Sequence, residues 1–174
     1  MNEQVMRHGT VVAIVADRGV GKTLFGVHLA KQYDDMGINV FTNIELYNIG
    51  HRIIEFKDIS SFPDWLRDGI IIMDEMHVGA DSYAFLRNDV QQITNFITQI
   101  RKRNLSFVYI TQNFTTIVKR LRLQTNYMYL MEKIIDGVAE VTVHDLMHNY
   151  KIVNKFPFDG RHLYNYYNTY QIIS

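Results

Sequence analysis

The chain reads as an α/β domain with a mainly parallel central sheet, flanked by helices and carrying an antiparallel hairpin at one edge. Three observations predict this. The run TVVAIV, residues 10–15, is continuously apolar beyond its first position and rich in β-branched residues, as in a strand buried on both faces. Such runs alternate with segments of helical spacing, the pattern of strands joined by helical crossovers. Late in the chain, two strand-like stretches flank Asp136-Gly137, a dipeptide suited to a hairpin turn. With 174 residues there is material for one medium domain, and ten Phe, eleven Tyr and one Trp can fill its core. We read 1–174 as a single domain, with a core over about 10–135 and a C-terminal hairpin and tail over 136–174.

Each element follows from its local residues. After the first strand come Gly19 and Gly21, then a helix over about Lys22 to Asp35, stopped by Gly37. Ile38 to Phe41 and Arg52 to Phe56 read as strands, and Ser60 to Arg67 as a short helix with Pro63 in its first turn. Ile70 to Met73 is another buried strand, ending in Asp74-Glu75. Val90, Ile93, Phe96, Ile97 and Ile100 share one face of a helix over Asp89 to Arg103. Leu105 to Thr111 is a further buried strand, and Thr115 to Leu123 reads as helical. Tyr127 to Ile134 and Val138 to His144 form the hairpin, while the aromatic tail from Phe156 onward matches no single pattern.

Composition excludes several classes. An apolar share of 47% with 21% charged residues is too hydrophobic for a disordered chain. Without cysteine there is no disulfide framework, no Cys-ligated zinc and no thiol nucleophile. No apolar run reaches the roughly 20 residues that span a bilayer, and MNEQVMRHGT lacks the apolar core of a signal peptide. We therefore expect a soluble protein whose membrane role, if it has one, runs through a partner. Net charge is zero but uneven: residues 1–100 hold 8 basic against 13 acidic groups, and residues 101–174 hold 10 against 5. Arg101, Lys102, Arg103, Lys119, Arg120 and Arg122 lie in a stretch with no acid. Either one face binds a polyanion or these groups end helices in solvent.

Ala16-Asp17-Arg18-Gly19-Val20-Gly21-Lys22-Thr23 follows GxxxxGK[ST], with Ala16 in place of the first glycine. Between a buried strand and a helix, that pattern describes a phosphate-binding loop. Backbone N–H groups around Gly19, Val20 and Gly21 can cradle phosphates, helped by the helix dipole. Lys22 supplies a point charge for the β- and γ-phosphates of ATP, and the Thr23 hydroxyl can ligate Mg²⁺. The strand Ile70 to Met73, about fifty residues on, delivers Asp74 to hold the metal and Glu75 to polarise an attacking water. Gln112, at the end of another strand, can bond both the terminal phosphate and the water, or else Gln112 and Asn113 cap the next helix. No residue that reads a base is identifiable, so ATP and GTP stay undivided.

ADRGVGKT, then IIIMDE, then an arginine-bearing helix end before a strand closing in Thr111-Gln112-Asn113, resembles the FtsK–HerA superfamily of P-loop ATPases. Within it the chain is similar to genome-packaging ATPases of membrane-containing and archaeal viruses and to Zot-like assembly ATPases of filamentous phages. Val40-Phe41-Thr42-Asn43-Ile44 and the ending Tyr166-Tyr167-Asn168-Thr169-Tyr170 carry the Zot-like likeness. The resemblance implies a RecA-like (ASCE) P-loop core and self-association into a ring, often a hexamer. It implies double-stranded DNA threaded through that ring, and an arginine finger reaching the neighbour's nucleotide, for which Arg103 or Arg101 matches best. Zot-like proteins usually carry a membrane-spanning segment after the ATPase domain; none is seen here, which favours packaging over extrusion. The resulting expectation is a Mg²⁺-dependent DNA-translocating ATPase in the host cytoplasm, reaching a packaging vertex and meeting a capsid, portal or membrane protein. Lys119-Arg120-Leu121-Arg122 could face the pore, since translocation needs phosphate contacts without base readout. The alternative is a Zot-like assembly ATPase acting on a coat or membrane partner without handling DNA.

Other signals are weaker. His144-Asp145-Leu146-Met147-His148 imitates HExxH with the wrong acid and after a strand. His77 lies close to Glu75, and 76–88 reads as a polar loop beside the site. The tyrosines from Tyr164 to Tyr170 suit core packing or stacking on nucleic acid.

Overall fold

The computed structural model describes residues 6–76, 90–133 and 135–169. In chain order the elements are β1 (Val11–Ala16), α1 (Lys22–Asp35), β2 (Asn39–Thr42), β3 (Arg52–Ile53), α2 (Phe56–Ser61), β4 (Gly69–Met73), α3 (Val90–Lys102), β5 (Leu105–Thr111), α4 (Lys119–Gln124), β6 (Tyr127–Lys133), β7 (Ala139–Asp145) and β8 (Lys151–Phe158). One sheet holds the strands in the order β3-β2-β4-β5-β1-β6-β7-β8. The first six in that order run parallel, and β6-β7-β8 is an antiparallel extension.

β1, β4 and β5 are buried along their whole length, as their unbroken apolar runs require. Alternate residues feed two cores. Val12, Ile14, Ile72 and Ile110 face α1, where Phe25, Leu29 and Ala30 meet them. Val11, Ala13, Ile71 and Tyr109 face Phe96, Ile97 and Ile100 of α3 and Leu121 of α4. Each large apolar side chain so buried contributes roughly 1.5–3 kcal/mol. α1 ends as its sequence implies: Gly37, at φ 72°, donates its N–H to the Asp34 carbonyl at 2.8 Å. No helix among the described residues is long and apolar enough to cross a membrane.

Three local expectations are corrected. The strand expected over Arg52 to Phe56 shrinks to Arg52–Ile53, because Glu55 and Asp58 form a reciprocal capping box that starts α2 at Phe56. The helix expected over Ser60 to Arg67 is absent. α2 has already ended at Ser61, with Phe62 left-handed at φ 47° and Pro63 beyond it. The single helix expected over Thr115 to Leu123 is two pieces, a 3₁₀ turn over Phe114–Thr116 and α4. Ile117 and Val118 between them are extended, which drops Ile117 into the core.

β8 adds a strand for which the sequence shows no clean signal. It runs along the sheet edge, so most of its residues are exposed and its pattern does not alternate sharply. Asn149 and Tyr150, both at positive φ, make the turn that brings it back on β7. Pro157 is tolerated there because an edge strand need not donate on both sides. Phe158 meets Phe25 of α1 edge-on at 4.9 Å, tying this edge to the central helix. A 3₁₀ segment, Arg161–Tyr166, then crosses α1 and delivers Tyr167 to a bridge with Leu46.

Gly69 opens β4 where a Cβ would run into the Asn39 carbonyl of β2. Gly69→Ala must therefore push β2 and β4 apart, and we expect a loss of about 1–3 kcal/mol, read as a lower midpoint of thermal unfolding.

Candidate active site

The site grows from the carboxyl end of β1, between β5 and β6 near the middle of the sheet. That is the place where an open α/β sheet leaves a crevice. Ala16 closes β1, almost fully buried, so the missing first glycine costs nothing in geometry. Gly19 and Gly21 stand at φ 78° and 99°, a region side chains with a Cβ rarely adopt. Gly21 is the N-cap of α1 and supplies no side-chain cap, leaving that helix end to an anion.

Lys22 and Thr23 sit in the first turn of α1 and face the end of β4. The Thr23 hydroxyl donates to Asp74 Oδ2 at 2.6 Å, and Lys22 Nζ lies 3.9 Å from Glu75 Oε1. Asp74 is 2% exposed. Burial pushes its pKa up, while the Thr23 bond, the Glu75 N–H at 2.7 Å and the Lys22 charge pull it down. Glu75 is left-handed at φ 54°, a strained conformation for a residue with a Cβ. Holding the peptide in place, Asn43 receives the Asp74 N–H on Oδ1 at 2.8 Å and donates from Nδ2 to the Asp74 carbonyl at 3.0 Å.

Gln112 lines the same cleft, of about 400 Å³, together with Arg18, Lys22, Thr23, Asp74 and Glu75. Its neighbour Asn113 does the capping, accepting from the N–H and hydroxyl of Thr115. Gln112 thus borders the cleft while the capping falls to Asn113. Tyr167, Asn168 and Thr169 complete the wall, held by Tyr47 N–H to the Tyr166 carbonyl at 2.7 Å and Asn168 N–H to the Glu45 carbonyl at 3.2 Å. In sequence, Asn43 and this tail carry a family likeness and the tail tyrosines suit packing or stacking, but neither segment shows that it borders the cleft. The usable signal for Asn43 is its place just past β2, the strand beside β4.

The arginines are elsewhere. Arg101 sits in the last turn of α3 and Arg103 just after it, before β5 begins, at the opposite end of the sheet from the phosphate loop. Arg103 is committed inside the chain: it donates to the Pro63 carbonyl at 2.7 Å and to Gln99 at 3.2 Å. Arg101 is exposed, with its stem over Gly9. Arg120 donates to Thr94 at 3.0 Å, and Arg122 lies over the Phe114 ring. His144 lies in β7 and His148 in the β7–β8 turn, where His148 pairs with Asp145 at 2.8 Å. No group of three metal-binding side chains forms among the described residues. His77 and most of the 76–88 loop lie outside the described residues, as does Tyr170.

A glycine-rich loop between strand and helix, facing a paired carboxylate step on the next-but-one strand of a mostly parallel sheet, defines a RecA-like P-loop ATPase. The family model for zonular occludens toxin (Zot) matches residues 4–168, and the chain belongs to that family. Two solved structures share the fold. The N-terminal domain of zonular occludens toxin from Neisseria meningitidis aligns at TM-score 0.65 and 17% identity, over 92% of this chain and 100% of that one. The flagellar accessory protein FlaH from Methanocaldococcus jannaschii aligns at TM-score 0.61 and 12% identity, over 88% and 86%. No curated protein matches the sequence significantly.

Removing the Asn43 amide leaves the Asp74 peptide without two bonds. Asn43→Ala should cost about 1–3 kcal/mol of stability and lower kcat with little change in KM, because the phosphate loop is untouched. Thermal unfolding and steady-state kinetics check the two halves separately.

Proposed function

We propose that the chain hydrolyses ATP with Mg²⁺ to drive a step of virion assembly. The observation that carries this is the bond between Thr23 and Asp74, which brings two oxygen donors together beside Lys22, Glu75 and Gln112. Oxygen donors suit a hard divalent cation, and a buried carboxylate is the partner such an ion needs. Thr23 and Asp74 would hold the metal, whose chemistry is to neutralise charge on the phosphates.

The chain's own groups do the rest. N–H groups around Gly19, Val20 and Gly21 and the N-terminus of α1 hold the phosphates, and Lys22 neutralises the terminal ones. Glu75 takes a proton from the attacking water, and its strained backbone, braced by Asn43, fixes the carboxylate. Gln112 orients the water against the terminal phosphate. An arginine supplied by a neighbouring subunit in a ring would come from Arg101, since Arg103 is already bonded within its own chain.

Two cargoes follow from two observations. The basic excess after residue 100, with Arg101, Lys102 and Lys119 exposed, supports a ring that moves double-stranded DNA into a capsid. Membership of the Zot family supports an assembly ATPase acting on a coat, portal or membrane partner. Either machine works from the host cytoplasm against the forming virion.

Glu75→Gln should keep nucleotide binding and cut turnover by about 10²–10⁴-fold; equal hydrolysis by variant and parent would remove Glu75 as the base. Hydrolysis measured across protein concentration, with and without linear double-stranded DNA, separates the cargoes. A more than linear rise with DNA stimulation and steep salt dependence marks the translocase. Indifference to DNA marks the assembly ATPase.

A further inference from the structure

The catalytic cleft is lined by an arginine of its own chain, Arg18. It takes the third place in the loop 16–23, ahead of the two left-handed glycines. Asp17, Arg18 and Gly19 form the exposed bend of that loop. A Cβ on Gly19 would meet no atom within 4 Å, so the space beside Arg18 is open. Arg101 and Arg103, in contrast, lie at the other end of the sheet.

The charges of the cleft divide unevenly. Among the described residues its charged side chains are Arg18, Lys22, Asp74 and Glu75. Lys22 lies 3.9 Å from Glu75, and Asp74 accepts from Thr23 where a cation would be held. No hydrogen bond or ion pair among the described residues commits Arg18. Arg103, Arg120 and Arg161, by comparison, are each bonded elsewhere in the chain. Arg18 is therefore the cation of the cleft left for a substrate. Its guanidinium is planar and always charged, and its donors can bridge two phosphate oxygens at once.

A nucleoside triphosphate in the loop puts its terminal phosphate toward Glu75 and Gln112, with which Arg18 shares the cleft. Hydrolysis joins the water oxygen to the terminal phosphorus while Glu75 takes the proton. The bond to the bridging oxygen breaks and leaves its electrons on the diphosphate. During that exchange, negative charge is spread over the terminal oxygens and builds on the leaving one. We propose that Arg18 is a catalytic residue acting in cis, its guanidinium contacting the terminal phosphate and the bridging oxygen of the nucleotide held by its own loop. This rests on the hydrolysis reading proposed above. An arginine here supplies from within the chain the charge that Arg101 of a neighbouring subunit would otherwise bring.

The test measures ATP hydrolysis and ADP binding on the full chain for the parent, Arg18→Ala, Arg18→Lys and Lys22→Ala. Arg18→Ala should lower kcat by about 10³-fold or more, with little change in KM or in ADP affinity. It should also lose the trapped complex of ADP with aluminium fluoride, which imitates the transferring phosphoryl group. Arg18→Lys should recover only a small part of the rate, since an ammonium cannot bridge two oxygens in one plane. Mixing Arg18→Ala with Lys22→Ala separates cis from trans, because only an arginine acting across subunits could complete a site in the mixture. No gain on mixing is expected; restored hydrolysis would overturn the cis assignment. Parent-like turnover by Arg18→Ala, or a loss of ADP affinity as large as the loss of kcat, would overturn the catalytic role. If Lys22→Ala is inactive while Arg18→Ala is not, the Arg18 proposal falls and the hydrolysis reading stands. If Lys22→Ala hydrolyses ATP as the parent does, the hydrolysis reading falls, and Arg18 with it.

Discussion

A buried carboxylate has to be satisfied or it becomes a liability, and the site here is arranged around satisfying Asp74. At 2% exposure an ionised carboxyl without partners would cost several kcal/mol. Asp74 has the Thr23 hydroxyl, the Glu75 N–H and the nearby Lys22 charge, and its own peptide is clasped by Asn43. Those contacts join the start of α1, the end of β4 and the loop after β2. The geometry of the phosphate loop and that of the acidic step are therefore not independent. A shift in one is transmitted to the other through a 2.6 Å bond.

The sheet makes that arrangement rigid. β1 lies between β5 and β6, and β4 beside β5, so the loop and the carboxylates project from the same end of strands buried on both faces. The Phe96–Phe107 pair, edge-on at 4.8 Å, and the Tyr109–Thr125 hydrogen bond at 2.8 Å brace the opposite face. Strain is placed where the chain is held: Glu75 keeps its left-handed backbone directly after Asp74, which is bonded to Thr23, Asn43 and the Glu75 N–H.

The antiparallel extension has a different character. β8 is an edge strand with exposed Ile152 and Val153, yet its end is fastened to α1 through Phe158 and Phe25. From there the chain crosses α1 and returns to the catalytic cleft as Tyr167–Thr169, paired with the loop after β2. The last described segment thus borders both sides of the phosphate loop, at Tyr164 on one and at Tyr167 on the other.

By itself the sequence determined the parallel core, the phosphate loop, the acidic step of Asp74 and Glu75, and the hairpin. Those features are local: unbroken β-branched runs, glycines at left-handed positions, and a turn dipeptide each carry their signal within a few residues. Tertiary structure decided what depends on partners distant in the chain. Arg103 matches a finger position in sequence, and the fold bonds its Nη1 to the Pro63 carbonyl and its Nε to Gln99. Gln112 and Asn113 look interchangeable as caps until the fold turns one to the cleft and the other to Thr115. Asn43 is an ordinary polar residue after a strand until β4 lies beside β2 and puts the Asp74 peptide within its reach. β8 needed β7 to exist at all, because an edge strand draws its order from the neighbour that pairs with it rather than from its own pattern of apolar residues.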